Sequence, residues 1–219
     1  MTSAFTAFMT QLNAEGREKA DGIAEGLFRQ MTPEELRRAA ELLSARAARD
    51  TTAIEALGHI NLPEAADALE KIFFPNEFDN RMLLVTAEAM LRHEQTKAKG
   101  TSALLEFLGA ARGDAGEQIL AVTSLFTALG RQDALNVLER LIRIADVGEL
   151  RRGALKEIAR GCLYLARKIA DMNDLGSEFN REINKFADGD RQALTAIIQD
   201  EDVGSRLSRS NRNSEHGLA

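Results

Sequence analysis

A chain of 219 residues with 44% apolar residues is long enough for one or two domains, and its 5% aromatics, lack of Trp and preference for Ala and Leu over Val and Ile favour helices over strands. The net charge of −6 opposes non-specific attraction to nucleic acid or an anionic membrane, and the single Cys162 excludes an intrachain disulfide. No apolar run reaches the roughly 18–20 residues of a membrane span. Residues 1–5 lack the basic and apolar regions of a secretory signal, so the sequence predicts a cytoplasmic protein with no membrane association.

The apolar spacing predicts helices near 2–13, 17–31, 33–48, 51–60, 63–74, 79–94, 101–112, 114–130, 132–145, 148–172 and 176–199, the last broken around Gly189. In the first, Phe5, Phe8, Met9 and Leu12 share a face. They are expected to cap the first hairpin of a stack, the alternative being insertion into another chain. The strongest start signal is Thr32-Pro33-Glu34-Glu35: Thr32 caps, Pro33 needs no amide partner at the first helical position, and Glu35 reaches back to close a capping box. Leu36, Ala39, Ala40, Leu43 and Ala47 follow at helical spacing. Pro63 opens a helix carrying Ala66, Leu69, Ile72 and Phe73, and Pro75 stops it. Asp114 and Glu117 repeat the capping-box logic. Gly100, Gly130 and Gly148 fall between periodic segments, where a left-handed cap or tight turn is expected. Residues 1–14 are thus expected to form a capping helix, 15–200 one continuous domain, and 201–219, rich in Ser, Arg and Asn, a disordered tail.

The organisation is repetitive. Ala56-Leu57-Gly58 followed by Pro63-Glu64-Ala65-Ala66-Asp67-Ala68-Leu69 returns as Ala128-Leu129-Gly130 followed by Asp133-Ala134-Leu135-Asn136-Val137-Leu138. Ala89-Met90-Leu91 with Ala103-Leu104-Leu105 is a weaker copy, and Ile158-Ala159-Arg160-Gly161 a fourth, fused into one long helix. Copies about 30–40 residues apart are in the range of two-helix solenoid units. The segment 123–142, with Ala-Leu-Gly ending one helix, a short acidic turn, and Ala134-Leu135 opening the next, resembles a HEAT repeat. The resemblance spans about residues 50–170 and departs at Arg92–Lys99, where the turn is long for the pattern. It implies an all-α fold, a right-handed superhelical solenoid of antiparallel helix hairpins, with a binding rather than a catalytic role.

The residues capable of chemistry are few. Some HEAT-like enzymes, the deoxyhypusine hydroxylases, hold two irons through several His-Glu pairs. Here His93-Glu94 is the single such pair, His59 lacks a following Glu and His216 lies in the tail, so no metal centre of that kind is expected. His93 and Glu94 are expected at a solvated helix end. Cys162 falls on an apolar helix face without a neighbouring base, as a buried inert thiol would. Certain HEAT-like DNA glycosylases need a basic groove and stacking aromatics, which this acidic, Trp-free chain lacks. No catalytic residue and no cofactor is predicted.

One charged feature remains. At about 100° per residue, with Arg152 at zero, Lys156 falls near 40°, Arg160 near 80° and Arg167 near 60°, opposite an apolar seam of Leu155, Ile158, Cys162, Leu165 and Ile169. With Arg140 and Arg143 nearby, this stripe is the candidate partner-binding surface; its alternative is a solvated face neutralised by Glu149 and Glu157. The expected function is a non-catalytic HEAT-like protein-binding module or adaptor, in one version a bacterial immunity or antitoxin-like protein masking a basic partner. The alternative is a nucleic-acid binder using the stripe from Arg152 to Arg167.

Overall fold

The computed structural model describes residues 1–14, 22–73, 79–128, 137, 140–141, 143–145, 150–167 and 177–190, the side chains of 162–167, 177–180 and 182 excepted. Among these residues every regular element is a helix, and no helix is long and apolar enough to cross a membrane. The chain divides between Glu106 and Phe107 into two compact units.

In the N-terminal unit, α1 (Ser3–Leu12) begins where the Thr2 hydroxyl accepts the Phe5 amide at 3.1 Å. Phe5, Phe8 and Leu12 are buried and Met9 is half-buried. The Phe8 ring lies 5.6 Å from Phe5 and 6.0 Å from Phe28, centre to centre, a spacing at which tilted aromatic pairs attract. Phe28 ends α2 (Glu25–Phe28). The helix predicted over 17–31 is thus shorter in its described part. Gly22 turns the chain at φ +74° and Ala24 is extended at ψ 118°, so the helix that ends at Phe28 begins at Glu25.

The next helix, α3 (Pro33–Ala47), carries the predicted capping box in full, with Pro33 in its first turn. The Glu35 amide donates to the Thr32 hydroxyl at 3.2 Å, and the Thr32 amide donates to Glu35 at 3.0 Å. Asp50 caps α4 (Thr51–Gly58) by accepting the Thr52 amide, and Pro63 starts α5 (Pro63–Ile72). Asp79 caps α6 (Asn80–Leu91) by accepting the Met82 amide at 2.7 Å. The following helix, α7 (Lys97–Gly109), starts four residues earlier than its periodicity predicts, and α6 stops three residues sooner. Residues 92–96 make the whole connection because the Thr96 hydroxyl donates to the Met90 carbonyl at 2.9 Å and closes the turn. The turn is therefore short, and the departure from the repeat pattern anticipated at Arg92–Lys99 is reduced to five residues.

Helix α3 packs on α4 and α5, α4 on α5 and α6, and α5 on α6. Leu43, Ile54, Leu57, Leu69, Met90 and Leu104 are all under 2% exposed at the centre of this unit. Two glycines set helix separations. A Cβ on Gly58 would lie 2.9 Å from the Ala89 Cα. One on Gly100 would lie 2.7 Å from the Ala87 carbonyl oxygen. Gly100 is therefore not the turn or cap residue its position between periodic segments predicts: it lies inside α7, where its missing side chain lets α7 approach the backbone of α6. Gly130, Gly148 and Pro75 lie outside the described residues.

In the C-terminal unit, Ala111 (φ 48°) and Gly113 (φ 79°) turn the chain into α8 (Ala115–Ala128). Its predicted capping box is present, with Asp114 accepting the Glu117 amide at 2.9 Å and Glu117 accepting the Asp114 amide at 3.0 Å. The buried Gln118 amide donates to the Arg112 carbonyl at 3.2 Å and accepts the Arg151 amide at 2.8 Å, fixing the entry to α9 (Arg152–Arg167). Helix α9 packs on α8 and on α10 (Ser177–Ala187), which ends, as predicted, before Gly189 at φ +116°. Val137, Leu141 and Ala145 are helical and buried where the sequence predicts the 132–145 helix. Most of the segment between α8 and α9, and the tail from 201, lie outside the described residues.

Candidate functional site

Three surfaces bring functional side chains together. The first is the α9 stripe. Leu155 and Ile158 are buried, while Arg152 is exposed and Lys156 and Arg160 are half-buried, so the helix turns its basic face outward as predicted. Much of that charge is engaged. Arg152 meets Asp188, just past the end of α10, at 2.8 Å, and Arg160 pairs with Glu157 in its own helix. Arg140 and Arg143 are exposed on the separate helical segment before α9. The side chains of Arg167 and Cys162 lie outside the described residues.

The second surface was not legible in the sequence. Between α3 and α5, on the side of these helices not covered by α4, runs an open groove of about 480 Å³. Its floor is apolar, with Ala40 and Ala68 buried and Ile72 half-buried. Its walls are charged: Arg37 and Glu41 rise from α3, Glu64 and Lys71 from α5, and Arg37 meets Glu64 at 3.8 Å. Each wall residue reads from sequence as an ordinary solvated helix position. Only the α3–α5 packing makes them face one another.

The third is the connection between the α4 and α6 hairpins. His59 caps the C-terminus of α4, and its Nδ1 lies 3.5 Å from a Glu25 carboxylate oxygen. The Glu25 carboxyl is held below the usual range by the hydrogen bond and charge of Arg29, with His59 adding to the effect. Arg92 pairs with Glu88 at 2.8 Å and leans over Gly58. Burial, then the Arg92 charge, pushes the His59 imidazole below its ordinary value, while Glu25, Glu55 and Glu88 oppose them. His93 departs from the expected solvated helix end: it is 7% exposed, with Nε2 3.1 Å from the Leu57 carbonyl oxygen. Glu94 beside it is exposed, as expected. The sequence carried a signal for this joint in Thr52-Ala53…Leu57-Gly58-His59 and Thr86-Ala87…Leu91-Arg92-His93, which match at a spacing of 34 residues. Both histidines follow the last turn of the first helix of a hairpin, so they occupy the same place in successive units.

Among the described residues no three His, Cys, Asp or Glu side chains converge as a metal site. Arg, Glu and Lys around an apolar floor, as between α3 and α5, suit the docking of a side chain or a helix edge. Comparison of the sequence with models of known protein families returns no match, and neither does comparison with curated proteins or with solved structures.

Proposed function

We propose that the chain is a non-catalytic protein-binding module of the HEAT-like type, working in the cytoplasm as a right-handed solenoid of helix hairpins. The α3–α5 groove carries the proposal: an apolar floor rimmed by both signs of charge is what a partner's anchoring side chain requires. Stacking supports it. The first helices of successive hairpins pack on each other, α4 on α6 in one unit and α8 on α9 in the other, as repeat units do. An overall charge of −6 suits a basic partner, which keeps the immunity-like version in view. The nucleic-acid alternative is weaker because carboxylates already engage Arg152 and Arg160.

The test places a photo-crosslinking residue at Glu41 or Lys71, with Leu120, an exposed position of α8 in the other unit, as the control, in the full chain exposed to native lysate. One protein captured at the groove positions, absent at Leu120 and lost on Ala68→Arg, supports the proposal. Equal capture at all positions, or none, overturns it. Duplex retardation that weakens steeply with salt would support the α9 stripe instead.

A further inference from the structure

The buried imidazole of His93 has no task in partner docking, and its surroundings give it one. A carbonyl oxygen only accepts, so the His93 nitrogen that meets Leu57 at 3.1 Å is the protonated one, and in the neutral ring Nδ1 bears the lone pair. The Leu57 carbonyl belongs to the last turn of α4, where it accepts the Ile60 amide at 3.2 Å in a tightened turn and keeps a second lone pair for His93. One side chain from the α6–α7 turn thus ties down the end of the neighbouring hairpin. The reach is possible because Gly58 and Ala89 let α4 and α6 approach closely.

We propose that His93 makes the joint between α4 and α6 acid-labile: the neutral ring clamps the two helix ends, and a proton from solvent added at Nδ1 loosens them. The imidazolium would sit in a nearly dry site. Among the described residues no hydrogen bond to Nδ1 is made. The charged groups around the joint do not compensate. Arg92, adjacent in sequence, repels a second cation. Glu88 is committed to Arg92, Glu25 to Arg29 and His59, and the exposed Glu94 to Lys97. Glu55 on α4 and the charged residues of α5 (Glu64, Asp67, Glu70 and Lys71) are exposed to solvent. On α3, Glu34, Arg37, Arg38, Glu41 and Arg46 are exposed as well, as is Arg49 just past its end, while Glu35 is committed to the Thr2 and Thr32 amides.

Burial therefore dominates and pushes His93 below its ordinary value, Arg92 adds to it, and only the bond to Leu57 at the helix end works the other way. A lowered folded value means that the contribution to stability is complete above about pH 6.5 and is lost as the pH falls through the folded value. His59 is the internal comparison: it occupies the equivalent place one hairpin earlier, is 20% exposed and faces Glu25, so its titration disturbs less.

The experiment follows unfolding of the full chain between about pH 7.5 and 5.5, a window chosen to lie above the carboxylate range. The parent is expected to lose stability across it. His93→Gln, which keeps a donor for Leu57 but does not titrate, is expected to flatten most of that loss, and His59→Gln less of it. Each unit by which His93 titrates below about 6.5 corresponds to a tenfold fall in the folded-to-unfolded ratio at acid pH. Full pH dependence retained in His93→Gln overturns the proposal. Should that variant fail to fold, the histidine ring resonances of the parent decide: a His93 titrating at or above about 6.5 overturns it, and one titrating below supports it.

Discussion

Replacing Gly100 with Ala sets two effects of opposite sign against each other. In an isolated helix the change stabilises by about 0.5–1 kcal/mol, because Gly loses more conformational freedom on folding. In this protein the new Cβ would lie 2.7 Å from the Ala87 carbonyl oxygen, 3.1 Å from the Met90 Cβ and 3.3 Å from the Leu91 amide nitrogen. Two of these are backbone atoms, so no side-chain rotation relieves the crowding and α7 must move away from α6. Overpacking of this kind costs about 1–3 kcal/mol. With no flexible neighbour the upper half of that range applies, leaving a net loss of about 1–2.5 kcal/mol. For a chain of this size that is a fall of about 2–10 °C in Tm, read by circular dichroism or as a lower urea midpoint. Gly26→Ala is the control, since nothing lies within 4 Å of its would-be Cβ; its stability should be unchanged or slightly raised. A Gly100→Ala protein as stable as the parent would refute the claim that this glycine sets the α6–α7 spacing.

Phe8→Ala empties a fully buried position between Phe5 and Phe28 and should cost about 3–5 kcal/mol in urea unfolding; a loss under about 1 kcal/mol would mean that α1 contributes little to its unit. The Glu35 carboxyl accepts the Thr2 amide, the Thr32 amide and the Thr2 hydroxyl, which hold it below the usual range. That contribution is complete above about pH 4.3 and is lost as the pH falls through the lowered value, so the protection of the α1 amides relative to intrinsic exchange at each pH should fall on acidification. Glu35→Gln should show the lower protection already at pH 7 and lose the acid response; unchanged protection in that variant would contradict the link. Arg152→Gln removes the solvent-exposed ion pair with Asp188 and should change stability by about 0–1 kcal/mol. A much larger loss in a thermal melt would show that the stripe is structural.

The sequence by itself determined the local events. Helical class followed from Ala and Leu at helical spacing, and both capping boxes formed where Thr32-Glu35 and Asp114-Glu117 sit, because a cap needs only residues within one turn. In the described part of α9, the burial of Leu155 and Ile158 opposite the exposed Arg152 followed from the same periodicity. Tertiary structure decided what depends on which surfaces meet. Gly100 reads as a turn until α6 lies against it, and His93 as a surface residue until the Leu57 carbonyl comes within reach. The groove lined by Arg37, Glu41, Glu64 and Lys71 exists only because α3 and α5 pack side by side, and Asp188 reaches Arg152 only because α10 returns against α9. Contacts across some 27 to 36 positions of chain carry no local propensity, so spacing along the sequence cannot encode them.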